Sequence, residues 1–203
     1  MNKPLIKFLL TLFALAAVLS PILIWGQTAT LTPDSTLLPT IFPVFGLIAF
    51  MIMWLHIIGG AFETWLNKYI DFGYFINWSS SVVLLLIILH PLIFILNFGF
   101  PKIAGIFSFG PGSFIWLGVL GWLMLITYDI RKAFKNRQFF IRHWGVIQFL
   151  STLGFYVIFF HSLFLGHNIQ AGPLRVAWIF FGITAAIATI YDYFLRPKLN
   201  SPD

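Results

Sequence analysis

Gln148–His167 reads QFLSTLGFYVIFFHSLFLGH. Between its two polar ends the run is close to pure hydrocarbon, and a helix needs about 20 such residues to cross a bilayer core. His161 stands deep inside it. An imidazole is costly to bury in lipid unless something pairs with it. What His161 meets decides how the chain is read.

The surroundings are as apolar as the stretch itself. Of 203 residues, 60% are hydrophobic and only 9% charged, against about 25% charged in an ordinary soluble domain. Such a chain cannot dress a water-facing surface. No linker, charged tail, low-complexity tract or internal repeat divides it, so residues 1–203 read as one domain. The absence of cysteine excludes disulfides, thiolate metal sites, iron–sulfur clusters and c-type haem attachment. A net charge of +6 suggests nucleic acid at first sight. The charges sit in loops between apolar spans, however, and positive ends on a membrane protein account for them without nucleic acid.

Six stretches have the length of a membrane helix: Leu5–Trp25, Ile41–Phe62, Trp78–Phe98, Phe114–Ile130, Gly145–Gly166 and Leu174–Leu195. The first has the basic start of a signal segment, MNKPLIK, but no convincing small-residue cleavage site follows, so it reads as a helix. The expected fold is all-α: a polytopic bundle of six transmembrane helices in contact with the lipid bilayer. Basic residues gather at Lys3 and Lys7, in RKAFKNRQFFIRHW (Arg131, Lys132, Lys135, Arg137, Arg142), and at Arg196 and Lys198. The alternate loops carry at most one each, Lys102 and Arg175. Lys and Arg favour the cytoplasmic side, so both termini are expected there, in the plasma (inner) membrane. Pro and Gly in the long outer loops fit turn chemistry.

Five histidines remain to be explained. His143 opens a helix beside the basic loop and His167 follows the end of another, and interfacial water accounts for both. His90 and His161 lie in SVVLLLIILHPLIFIL and YVIFFHSLFLG. Counted from Trp78 and Trp144 they stand about 18 and 25 Å from the inner interface at 1.5 Å per residue, on helices that run the same way. Pro91, directly after His90, loosens the helix there. Two imidazoles at similar depth suit one planar ligand, and haem iron takes an imidazole on each face. Zinc would want three or four ligands. A packing histidine bonded to a carbonyl or hydroxyl is the plainer alternative. His56, in MWLHIIGGAFETW, falls in the inner half, where Gly59 and Gly60 permit close approach; helix packing is its plain reading.

These residues resemble the ferric reductase-like transmembrane domain, the superfamily of the haem-binding membrane subunit of the methionine sulfoxide reductase system, NADPH oxidases and six-helix metalloreductases. The likeness covers most of the chain. A basic loop precedes helix five, followed by tryptophan, histidine four residues on, and a second histidine thirteen beyond. WGVIQFLSTLGFYVIFFH matches with Trp144 and His161, while Gln148 stands where the first histidine would be. SVVLLLIILHPL resembles the helix-three region, with His90 as ligand. Two-haem relatives carry a second histidine thirteen or fourteen residues before each outer one; here those positions are Asn77, Ile76 and Gln148. The resemblance therefore implies one outer haem b, with His90 and His161 as iron ligands.

It implies in turn a b-type cytochrome that moves electrons outward to a partner oxidoreductase or a metal acceptor. No dinucleotide fingerprint is present, so a flavoprotein, a quinone, or an FMN or FAD in the inner half must feed the haem. Arg131, Arg137 and Arg142, with the two lysines, suit a flavin phosphate or an acidic partner, or serve topology alone. His56, Gln148, Trp54 and Tyr128 are expected around an inner pocket. The alternative is a non-redox multipass protein, a small transporter or assembly factor, with packing histidines.

Overall fold

In lipid every backbone polar group must find its partner within the chain, and long runs of Leu, Ile, Phe and Val meet that demand as helices. A computed structural model describes residues 2–28, 37–98 and 114–196. Its long helices are α1 (Lys3–Thr28), α2 (Leu37–Ala61), α3 (Phe72–Phe98), α4 (Ile115–Ala133), α5 (Trp144–Leu165) and α6 (Gly172–Ile190). Short turns at Glu63–Leu66, Gln138–Arg142 and His167–Ile169 join them, and a π-helical turn, Tyr191–Leu195, ends α6. No strand occurs among the described residues. Most of the two long outer loops, Lys102 and Lys198 lie outside them.

Five helices are long and apolar enough to cross a membrane: Lys3–Gln27, Ile41–Ala61, Phe72–Leu96, Trp144–Leu165 and Gly172–Leu195. The expected fourth span forms as helix α4, but its last turns carry Asp129, Arg131 and Lys132. Those charges leave its described apolar run short of about 20 residues.

Helix α3 begins six residues before the Trp78 start expected from hydropathy. Asp71 caps it, its Oδ1 accepting from the Tyr74 N–H at 2.8 Å, and Asn67 Oδ1 accepts from the Phe72 N–H at 3.1 Å. The apolar run itself reaches back to Phe72, so the earlier start agrees with hydropathy over the whole helix. The earlier start matters for the histidines. His90 now lies eighteen residues from the start of its helix and His161 seventeen from the start of its own. Both come to about 26 Å along the helix axis.

The helices pack as two antiparallel pairs, α2 with α3 and α4 with α5, while α1 and α6 lie against α2. The pairs meet along α3–α4 and α2–α5, so the histidine helices α3 and α5 stand diagonally opposite in this group of four. Between α4 and α5, Gly121 and Gly154 bring the backbones together: a Cβ on Gly154 would lie 3.1 Å from the Gly121 carbonyl oxygen. Lipid tails are as apolar as leucine, so close packing of small residues and stacked rings holds such helices together. At the centre Phe50 stacks on Trp178 at 4.1 Å and on Phe155 at 4.6 Å, each pair worth about 0.5–1.5 kcal/mol beyond burial. Two indoles are tied by hydrogen bonds: Trp178 Nε1 donates to Ser162 Oγ (2.7 Å) and Trp54 Nε1 to Thr184 Oγ1 (3.0 Å). Outward, rows such as Leu5, Phe8, Leu12 and Leu19 of α1 stay exposed, a surface suited to lipid.

Candidate cofactor site

His90 donates from Nδ1 to the Phe42 carbonyl at 2.9 Å, and His161 donates from Nδ1 to the Phe114 carbonyl, also at 2.9 Å. A carbonyl only accepts, so both rings carry their proton on Nδ1. Neither Nε2 makes a hydrogen bond among the described residues.

Each ring is seated the same way. His90 lies against Gly46, where a Cβ would come within 3.2 Å of Cε1, and His161 lies against Gly118, where it would come within 2.7 Å. In both helices the glycine stands four residues after the phenylalanine whose carbonyl accepts the bond: FPVFG at Phe42–Gly46, FIWLG at Phe114–Gly118. The separation from phenylalanine to histidine is 48 residues in one pair and 47 in the other. No repeat was visible in the composition; the geometry repeats nonetheless.

Between the histidines and the starts of α3 and α5, a cavity of about 370 Å³ lies among α2, α3, α4 and α5, with the π-turn after α6 closing one side. Its lining follows the same correspondence. Met53 and Leu125 stand seven residues after the two glycines, His56 and Tyr128 ten after, and Ser80 and Ser151 ten before the two histidines. Of the expected pocket residues, His56, Tyr128 and Gln148 line it, and so does Ile76. Trp54 does not. It is buried in the core against Thr184 and Phe181. Asp129, Asp192 and Tyr193 also line the cavity and were missed. The only sequence signal for Asp129 was a carboxylate inside an apolar run.

His56 has its own partner. Ser79 Oγ donates to the Phe75 carbonyl (2.6 Å), so it accepts from His56 Nε2–H at 2.7 Å. Gly59 gives close approach to the Phe72 ring rather than to a second backbone, a Cβ there falling 2.3 Å from Cε2. His143 donates from Nδ1 to the Phe139 carbonyl at 2.8 Å, as an interfacial histidine does. The side chain of His167 lies outside the described residues.

The basic loop divides in two. Lys132 Nζ donates to the Asn77 carbonyl and to Ser80 and Ser81 Oγ, stitching α4 to α3. Arg131 lies over the Trp144 ring, with its Nε buried and without a hydrogen-bond partner among the described residues. Lys135, Arg137 and Arg142 are exposed. Arg131 is thus set apart from the two arginines with which the sequence grouped it.

Among the described residues no three of His, Asp and Glu gather into a metal-binding cluster, so the imidazole pair is a two-donor set. Its donors fit axial ligation: a metal-bound imidazole commonly gives its far N–H to a carbonyl, which fixes the ring and raises its basicity. No family model, curated protein or solved structure matches the chain.

Proposed function

We propose that the chain is a six-span, b-type membrane cytochrome of the plasma membrane, of the ferric reductase-like kind, with both termini and the basic loop cytoplasmic. It passes electrons outward through one haem b to a partner oxidoreductase or an extracytoplasmic metal acceptor. The observation that supports this reading is the matched imidazole pair, each ring held at Nδ1 by a carbonyl of the neighbouring helix and without a hydrogen bond at Nε2 among the described residues.

Haem supplies one-electron iron chemistry when bound. His90 and His161 would hold it through Nε2. The Phe42 and Phe114 carbonyls keep the rings in the required tautomer, and the apolar helices around them exclude water. The inner cavity is the electron-donor side in this reading. Its volume falls within the range of about 300–1,000 Å³ common to small-molecule sites. His56, Tyr128, Gln148 and Asp129 offer hydrogen bonds to the ring of a flavin (FMN or FAD) or a quinone. Arg137 and Arg142 provide charge at the surface for a flavin phosphate or an acidic flavoprotein.

The second reading, a non-redox multipass protein, draws on the same two carbonyl bonds, which also suit packing histidines. Haem ligation would use both Nε2 atoms, and packing alone assigns them no role. A pyridine haemochrome spectrum of the purified protein separates the two. A Soret band with haem b is expected, and protein without haem leaves only the second reading.

A further inference from the structure

We infer that Gly46 and Gly118 are positioning residues, each opening a backbone carbonyl to the histidine of the neighbouring helix and so setting the plane in which that imidazole is presented. In an α-helix each Cα–Cβ bond tilts toward the N-terminus, and a side chain covers the turn before its own Cα. The residue four places after a carbonyl is therefore the one whose Cβ would wall it off from a neighbour. At Phe42 and Phe114 that residue is glycine, and in each case the histidine ring fills the space. Two independent helix pairs carry the same device at matching spacing, which chance packing does not readily produce. The inference rests on the haem reading only for the ligand that the rings receive.

The two seats differ in tightness. At Gly118 a Cβ would fall 2.7 Å from His161 Cε1 and 2.9 Å from Nδ1, so the ring must turn away from Phe114. At Gly46 the distances are 3.2 and 3.3 Å, and a shift of a few tenths of an ångström suffices. Gly121, on the same helix as Gly118, is a crowding control: its Cβ would meet Ile158 Cγ1 at 2.7 Å and the Gly154 carbonyl oxygen at 3.2 Å, pressing on α5 without touching a histidine.

The test is electron paramagnetic resonance of the ferric haem in purified full-length G118A, G46A and G121A, with haem content measured on the same samples. The largest g value of low-spin ferric haem reports the mutual orientation of its two imidazole planes. A large change or a several-fold loss of haem is expected in G118A, a smaller change in G46A, and in G121A a change well short of that in G118A. Wild-type signals in both G118A and G46A would overturn the inference while leaving the haem reading intact. So would a change in G121A equal to that in G118A, which would point to general crowding of α4 and α5. If G118A does not assemble, G46A decides alone: a wild-type signal there overturns the inference. Wild-type protein without haem would defeat the haem reading itself, and this inference with it.

Discussion

The guanidinium carbon of Arg131 sits 3.9 Å from the centre of the Trp144 ring. Trp144 is the first residue of α5 and part of the cavity wall, so this contact joins the end of α4 to the start of the histidine helix. A partly desolvated cation–π contact is worth about 1–2 kcal/mol. Replacing Arg131 with Gln, or Trp144 with Leu, should each lower thermal stability in detergent by that order. The double variant should lose clearly less than the sum, since the residues act as one unit. Fully additive losses would show that they do not interact.

Arg137 and Arg142 stand apart from this contact, exposed on the loop. Changing both to Gln should slow haem reduction by a cytoplasmic donor several-fold and leave dithionite reduction unaltered. Insertion has to be verified first, because the same charges orient the helices. Unchanged donor-driven rates in a correctly inserted variant would leave these arginines a topological role only.

His90→Ala and His161→Ala should each abolish low-spin haem while the protein still inserts. Each substitution removes the free Nε2 and spares the helix, since alanine is a strong helix former. An optical spectrum unchanged in both variants would end the ligand assignment.

One haem b per chain is expected from pyridine haemochrome against protein mass. Ile76 and Gln148 wall the inner cavity in place of histidines, and Asn77 gives its carbonyl to Lys132. His56 already bonds Ser79 through Nε2. A ratio of two would require His56 to leave Ser79, or His143 to leave the surface, and would overturn this count.

A fluorescent reporter that folds only in the cytoplasm, fused after Asp203, should be bright. One placed in the 131–142 loop should be bright as well. Darkness at both sites would reverse the orientation. Darkness at one alone would change the number of spans, and α4 is the helix to re-examine, because its last turns carry three charges.

What the sequence by itself determined is the part that depends on local chemistry. Apolar runs of bilayer length must become helices, because lipid leaves their backbone no other partner. All six expected stretches are helical in the described residues, and the distribution of Lys and Arg supplies an expected orientation before any contact is known. His90 and His161 stood out for the same reason, as polar groups in hydrocarbon. What only the tertiary structure decided is which faces meet. Helices α2 and α3 are apolar nearly all round, so their sequence does not mark the side that turns inward. The seating of His90 on Gly46, the engagement of Arg131 by Trp144 and the arrival of Asp129 in a cavity beside His56 all join residues from different helices. Composition cannot encode such a pairing, because it depends on how two surfaces interlock. The early start of α3, by contrast, is local. Its apolar run already extends to Phe72, and the side-chain caps from Asn67 and Asp71 set where the helix begins.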